Sequence, residues 1–503
     1  MGGLCAAIDL ACAGYAVTVF EKAETVGGKM REVRVGDVSI DSGPTVLTMP
    51  WVFEALFEAA GRRLASYVTL QPLEVLARHA WPDGAHLDLF RDSARSADAI
   101  GDFAGVQERR GYLAFCADAQ RMYNTLRASF LEARRPNPLS LAARIGLWRL
   151  GDLLAIRPFD TMWRALGDYF SDARLRQLFA RYATYCGSSP FDAPATLMLI
   201  AHVEQRGVWC VEGGMQRLAE ALRTLAEDLG VRFRLGEGVR KVMVANGRAT
   251  GIVTSHDASV SADAIVCNAD PAALAAGALG EDAIAAVPAP EPRQRSLSAL
   301  TWSLQATARS FPLSRHTIFF SGNYAREFVQ LRTGLPEDPT IYVCAQDRNE
   351  QHTPTAPERL FILTNAPPLG DSNSITQKEI DACEARMLAS LQQHGLHLEI
   401  TSVRRTSPRD FNALFPATGG ALYGRATQGW AASFLRSGAR TRIPGLYLAG
   451  GGVHPGAGVP MTALSGRLAA RQILEDRIST PPSRRAVMPG GTSTPSAKIA
   501  AKR

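Results

Sequence analysis

A chain of 503 residues exceeds a single hydrophobic core and is expected to divide into two or three domains with room for a large buried ligand. Its 46% hydrophobic and 20% charged content are those of a globular protein, and no stretch approaches the roughly 20 consecutive apolar residues of a membrane-spanning helix. The net charge of +7 comes partly from scattered pairs such as Arg62/Arg63, Arg134/Arg135 and Arg484/Arg485; without interleaved aromatics these exclude a nucleic-acid platform and leave an anionic membrane surface or plain solubility.

The eight cysteines form no CxxC pair and mostly sit among apolar neighbours, as in Ile265-Val266-Cys267, so they read as small core residues of a reducing compartment. The nine histidines show no ligand spacing, so no protein metal site is expected. Met1 opens directly into the first helix, with no signal peptide before it.

In chain order, Gly2 to about Gly14 reads as a small-residue helix, followed by a strand over Ala16 to Phe20 and then Glu21. A glycine at a helix start and an acid about 20 residues further on is the spacing of a dinucleotide fold, met here by Gly3 and Glu21. The first strand and first two glycines of that motif would lie before Met1, and the chain is expected to be truncated there. Gly27, Gly28 and Lys29 form either a plain turn or a loop that offers N–H groups and a cation to phosphate. Arg31 to Ile40 is a hairpin signal around Gly36-Asp37, and it delivers the tight loop Asp41-Ser42-Gly43-Pro44-Thr45, able to sit against a ring system.

Trp51 to Gly61 is helical, and Tyr67 to Phe90 reads as strands around Pro82-Asp83-Gly84. From about Ser93 to His202 the pattern is mostly helical, clearest over Tyr112 to Glu132, with Leu147-Trp148-Arg149-Leu150 among its greasy and basic stretches. This segment is either an ordinary helical insert or a lid that touches a membrane and admits a lipid. Gly213-Gly214-Met215 opens a helix with Leu218, Leu222, Leu225 and Leu229 on one face. Strands then lead to Asn268 and Asp270 at a strand terminus, where α/β folds hold ligands. Leu297 to Val343 and Phe361 to Asn365 predict an antiparallel sheet whose apolar face is either core or the wall of a long pocket.

Thr418 to Arg425 is a further glycine-rich turn. The closing stretch is the most informative: the short strand Leu446 to Ala449 runs into Gly450, Gly451 and Gly452, and a helix follows from about Val459. Strand, glycine turn and helix start together let backbone N–H groups approach a negatively charged ligand. Beyond Leu474 the Pro/Ser-rich basic end is expected to be disordered.

Through Gly3 with Glu21, Gly27-Gly28-Lys29, Asp41 to Thr45, Gly213-Gly214-Met215, Asn268-Ala269-Asp270-Pro271 and His454 to Pro460, the chain resembles the bacterial-type phytoene desaturase family of FAD-dependent carotenoid desaturases. Arg181 to Tyr185, Phe415 to Gly424 and Gly452 to Pro455 look most like its 1-hydroxycarotenoid 3,4-desaturase branch. The resemblance implies an α/β protein: a Rossmann-like FAD-binding domain lacking its first strand (1–65, 205–285 and 430–478), an antiparallel-sheet substrate domain (66–92 and 290–429), a helical membrane or lid domain (93–204) and a disordered tail (479–503).

It also implies FAD held by Gly3, Glu21, Gly28, Lys29 and the backbone of Val239, with Gly43, Pro44, Thr45, Gly450, Gly451, Gly458, Val459, Pro460 and Met461 on the flavin side. The implied reaction forms a C–C double bond in an acyclic 1-hydroxy- or 1-methoxycarotenoid by hydride transfer to flavin. Quinone or oxygen would accept the electrons, and the protein would be cytoplasmic and peripheral to the inner or photosynthetic membrane. Alternatives are a multi-step phytoene or neurosporene desaturase, a flavin amine oxidase or a prenyl-binding escort protein. No proton acceptor is identifiable; Glu204, Glu212 and His454 are candidates, each also readable as structural.

Overall fold

Small residues near both ends of the chain let two helices approach as far as their backbones permit. In the computed structural model, which describes residues 1–146, 151, 155–289, 291–349, 352–372 and 374–479, the N-terminal helix Gly2–Cys12 packs along the C-terminal helix Val459–Ser479. A Cβ on Gly466 would stand 2.0 Å from the Gly2 carbonyl oxygen, and one on Gly2 would stand 2.9 Å from the Gly450 amide nitrogen. The N-terminal helix also packs on the helix Gln216–Asp228, whose Leu218, Leu222 and Leu225 form the expected apolar stripe and are buried.

The strands, in chain order, are β1 (Thr18–Glu21), β2 (Glu32–Val35), β3 (Val38–Asp41), β4 (Leu70–Pro72), β5 (Val75–Ala80), β6 (His86–Phe90), β7 (Trp209–Val211), β8 (Arg232–Leu235) and β9 (Val239–Ala245). They continue with β10 (Arg248–Thr254), β11 (Ser259–Ser261), β12 (Ile265–Cys267), β13 (Ser298–Arg309), β14 (His316–Phe319), β15 (Ile341–Ala345), β16 (Glu358–Ala366), β17 (His397–Thr406) and β18 (Leu446–Leu448). Two parallel pairs, β1 with β8 and β12 with β18, both touch the N-terminal helix and form the Rossmann-like layer. Among the described residues no strand bridges the two pairs. Hairpin β2–β3 turns at Gly36, whose φ of +57° suits glycine, and its arm ends at Asp41.

The second layer is a seven-stranded sheet in the order β17-β13-β16-β15-β14-β5-β6. Every neighbouring pair is antiparallel except β14 with β5, so the expected antiparallel sheet is mixed at one place. The reason is connectivity: the β5–β6 hairpin arrives from far upstream and docks on the free edge of β14. One face of the sheet buries Ala80, Phe319, Ile341 and Val343 against Cys383, Met387 and Leu391 of the helix Gln377–Gln393. The opposite face carries Ile318 and Tyr342 into the main core, shared with Phe115, Phe170, Phe179 and Tyr182 of the helical insert. Phe170 and Phe179 stack with ring centroids 4.7 Å apart. The Leu147-Trp148-Arg149-Leu150 stretch and the chain beyond Ser479 lie outside the described residues.

Candidate functional site

β1 ends at Glu21, whose Oε1 accepts a hydrogen bond from the Ala23 amide at 3.0 Å. The Glu21 carbonyl accepts from the Glu237 N–H at 3.0 Å, and this brings Val239, the first residue of β9, to the same strand end. Gly27 and Gly28 follow with φ of +120° and +65°. A Cβ on Gly27 would lie 2.3 Å from the Met30 carbonyl oxygen, whereas one on Gly28 would meet open space, so the loop presents Gly28 outward.

The Lys29 side chain turns inward and donates to the carbonyls of Leu422 (2.6 Å) and Ala421 (3.4 Å), in the glycine-rich turn 418–425. Burial lowers its pKa below the ordinary lysine value, with Asp270 opposing. A Cβ on Gly43 would stand 2.0 Å from the Lys29 carbonyl oxygen, so the loop carrying Gly43, Pro44 and Thr45 rests directly on the Gly27–Lys29 loop. Asp41, buried at the base of that loop, accepts from the amides of Met215 (2.7 Å) and Gln216 (3.3 Å) and so caps the helix Gln216–Asp228. Burial raises its pKa, and these two backbone bonds pull it back.

Asn268 staples the two ends of the chain. Its Oδ1 accepts from the Gly3 amide at 2.8 Å and its Nδ2 donates to the Ala449 carbonyl at 3.1 Å, immediately before Gly450. A Cβ on Gly450 would be 2.7 Å from that same Nδ2, and the Gly450 amide donates to Ser465 Oγ at 2.8 Å. Gly451 is held through its carbonyl by Arg436, whose Nη1 also donates to the Tyr423 carbonyl. Gly458 is exposed, and the helix opens at Val459, Pro460 and Met461. First-turn N–H groups have no acceptor within their own helix, Pro460 has none to satisfy, and the terminus carries partial positive charge. These contacts join Gly3 to the strand end before Gly450 through Asn268, Val239 to Glu21 through Glu237, and the Gly27–Lys29 loop to Gly43 and, through the turn 418–425 and Arg436, to Gly451. An acid at a strand end, outward glycine backbone, a 21-residue helix that starts directly after the glycine turn and cations held on carbonyls fit the ribose, phosphate and ring of FAD.

Between the seven-stranded sheet and the insert lies a polar island that the sequence did not reveal. Tyr342 Oη stands 2.7 Å from both Thr45 Oγ1 and His316 Nδ1. Burial, with Arg315 and Arg181 nearby, lowers the His316 pKa to about 3, so this imidazole is neutral. Glu204 accepts from Tyr182 Oη (2.6 Å) and Tyr185 Oη (2.8 Å), and the Arg181 guanidinium lies 3.9 Å from it. The other two carboxylate or imidazole candidates sit elsewhere. Glu212 is exposed, and His454 donates from Nε2 to the Phe130 and Ala133 carbonyls, 3.0 Å each, while burial lowers its pKa to about 4. A small recess beside Thr45 is lined by Asp41, Cys210, Met215, Arg315 and Gln346.

The model of the flavin containing amine oxidoreductase family matches residues 1–474. Hydroxyneurosporene desaturase of Rubrivivax gelatinosus is 49% identical over 503 residues, covering 99% of this chain and 96% of its own length. Hydroxyneurosporene desaturase of Cereibacter sphaeroides is 44% identical over 482 residues, covering 95% and 97%. An oxidoreductase from Methanosarcina mazei superposes with a TM-score of 0.60 at 17% identity, covering 94% of this chain and 98% of its own; that likeness is one of fold.

Proposed function

This chain belongs to the flavin containing amine oxidoreductase family, and within it we propose a carotenoid desaturase that forms the 3,4 double bond of an acyclic 1-hydroxy- or 1-methoxycarotenoid. The reading is carried by 49% identity to a hydroxyneurosporene desaturase across 99% of the chain. FAD is the cofactor, and when bound it supplies the hydride acceptor that no side chain here can provide. The protein's own work is to hold, orient and keep dry. Glu21 holds the adenosine ribose, Gly3 and Gly28 let phosphate approach their backbone, Lys29 lies at the phosphate or ribityl region, and the Val239 backbone meets the adenine. Gly43, Pro44 and Thr45 line one side of the ring, and Gly450, Gly451 and Gly458 to Met461 the other. The proposed division into a cofactor domain, a sheet domain and a helical insert keeps the boundaries given in the sequence analysis.

A hydrocarbon chain offers few polar handles, so burial at roughly 25 cal/mol per Å2 supplies most of its affinity. The apolar sheet face toward the insert suits such a ligand, and the island of Thr45, Tyr342 and His316 suits one polar end. Among the described residues no helix is long and apolar enough to cross a membrane. Support for peripheral contact comes from exposed Leu139, Phe159, Val329, Trp430 and Leu435. Phe159 packs on Trp430, and the chain segments that carry the others are tied nearby: Arg135 donates to the Phe434 carbonyl, the Gly429 amide donates to the Asp192 carbonyl, and Arg332 pairs with Asp192. Apolar tips among arginines match an anionic lipid surface, and quinone or oxygen would take the electrons onward. Pigment analysis of cells that make hydroxyneurosporene, neurosporene or phytoene tests the reading. Gain of one double bond in the hydroxylated pigment alone is expected; equal consumption of the plain carotenes points to a multi-step desaturase instead.

A further inference from the structure

Arg436 lies in the short segment before β18, outside the glycine motifs, yet it is 4% exposed and reaches three backbone carbonyls on two separate stretches. Nη1 donates to the carbonyls of Tyr423 (3.0 Å) and Gly451 (3.2 Å), and Nη2 donates to the carbonyl of Arg425 (2.6 Å). The guanidinium is boxed in by glycines. A Cβ on Gly424 would stand 3.8 Å from Nη1 and 2.8 Å from the Gly452 Cα, and one on Gly456 would stand 3.7 Å from Nε. Lys29 binds the other end of the same turn, through the carbonyls of Ala421 and Leu422.

Among the described residues neither cation forms an ion pair, although burial normally demands one. The contrast with Arg348 is direct: that arginine is equally buried and pairs with Glu358 at 2.7 Å. Asp270 is the carboxylate whose field reaches both Lys29 and Arg436. It lies beside Gly424 and Gly452 and spends one oxygen capping the Ala272 amide at 2.9 Å. Two cations against one carboxylate leave positive charge uncompensated where the glycine loops meet.

We propose that Arg436 is a positioning residue of the cofactor site and that, together with Lys29, it supplies a positive charge neutralised by an anionic part of FAD. This rests on the reading of the chain as an FAD enzyme. FAD offers two such anions: its pyrophosphate, always charged, and its ring, which gains one net negative charge when it takes up two electrons and one proton. Binding of FAD and of riboflavin, which lacks phosphate, is measured by fluorescence on the full chain and on R436K, R436M and K29M, and the midpoint potential of each flavin complex is measured by dye equilibration.

R436M is expected to weaken FAD at least tenfold, or to shift the ratio of reduced to oxidised flavin affinity tenfold, a fall of about 30 mV for a two-electron couple. R436K keeps the charge and should stay within threefold of wild type on the affected readout. A loss for FAD but not riboflavin assigns the charge to phosphate, and a potential shift with unchanged affinity assigns it to the ring. K29M leaves the three Arg436 bonds intact and should move the same readout in the same direction. Folded R436M and K29M that match wild type on every measurement overturn the proposal, as does R436K failing as badly as R436M while K29M is unchanged. A wild-type chain that takes up no flavin sinks this proposal and the reading beneath it; a flavin-binding wild type with unaffected variants sinks this one alone.

Discussion

Replacing Gly466 by alanine sets two effects of opposite sign against each other. In an ordinary helix interior the change would stabilise, because alanine exceeds glycine in helix propensity by about 1 kcal/mol. Here the added Cβ would stand 2.0 Å from the Gly2 carbonyl oxygen, 2.9 Å from its carbon and 3.1 Å from the Ala6 amide nitrogen, all backbone atoms that cannot swing away. Relief requires the two terminal helices to part by about an ångström, and a gap of 0.5–1 Å already forfeits a quarter to a half of each dispersion contact. Overpacking of about 3 kcal/mol therefore outweighs the propensity gain and leaves a net loss of about 2 kcal/mol. Because the same helices carry Gly3 and Ser465, whose Oγ accepts from the Gly450 amide, flavin retention should fall with stability. Chemical denaturation followed by far-UV circular dichroism measures the first effect, and absorbance after desalting the second. Gly101→Ala is the control, since its Cβ would meet only the flexible Arg109 side chain, 3.2 Å away, and its change in stability should lie within about 1 kcal/mol of zero. Gly466→Ala as stable as wild type would refute the claim that backbone contact fixes this glycine.

Glu327 is buried beneath Ser321 and Thr340, and burial raises its pKa from 4.5 to about 7 despite hydrogen bonds from both residues. A raised carboxyl pKa contributes stability that is complete below pH 4.5 and is lost as pH rises through 7. The wild type should lose about 3 kcal/mol over that interval, a slope that Glu327→Gln flattens in denaturant titrations at pH 4.5 and pH 8. Parallel curves for the two proteins would show that Glu327 does not titrate in this range. Glu21→Gln should weaken FAD about tenfold in fluorescence titration, from loss of charge-assisted hydrogen bonds to the ribose; unchanged affinity removes Glu21 from the site. Phe159→Ser with Trp430→Ser should reduce partition into anionic phospholipid vesicles at least about tenfold in sedimentation assays, since burying each side chain contributes about 1.5–3 kcal/mol. Equal partition would locate membrane contact elsewhere.

What could be read from the chain were features whose chemistry sits at neighbouring positions. Leu446 to Met461 compresses a strand end, five glycines and a helix start into one stretch, and Gly3 with Glu21 spans a single helix and strand. Arg436, Tyr342 and His316 escaped because their roles depend on partners distant in sequence. Lys29 itself was legible as a cation beside glycines, but its bond to Leu422, 393 positions away, turns it to a carbonyl of the other half of the site. The helix Gln377–Gln393 did leave a signal that went unread: Thr376 and Glu379 form a capping box, and Ile380, Cys383, Met387 and Leu391 recur at helical spacing. β17 left almost none, because an edge strand with one paired neighbour exposes alternate and even successive residues, and its charged pattern hides the period of two. Among the carboxylates, only burial distinguishes Glu204, clasped by two tyrosines, from exposed Glu212.

The Asn268 staple also bears on synthesis in time. A ribosome releases Gly3 and Glu21 more than 400 residues before the Gly450 to Met461 stretch, so throughout that interval only half of the nucleotide cradle exists. Joining ends this far apart defers closure until the final helix emerges and makes it a slow, topologically remote event. The vitamin-derived prosthetic group can then be enclosed only once those glycines have emerged, and a nascent polypeptide stalled before them stays an apoprotein, left to chaperones and proteases rather than to the pigment pathway.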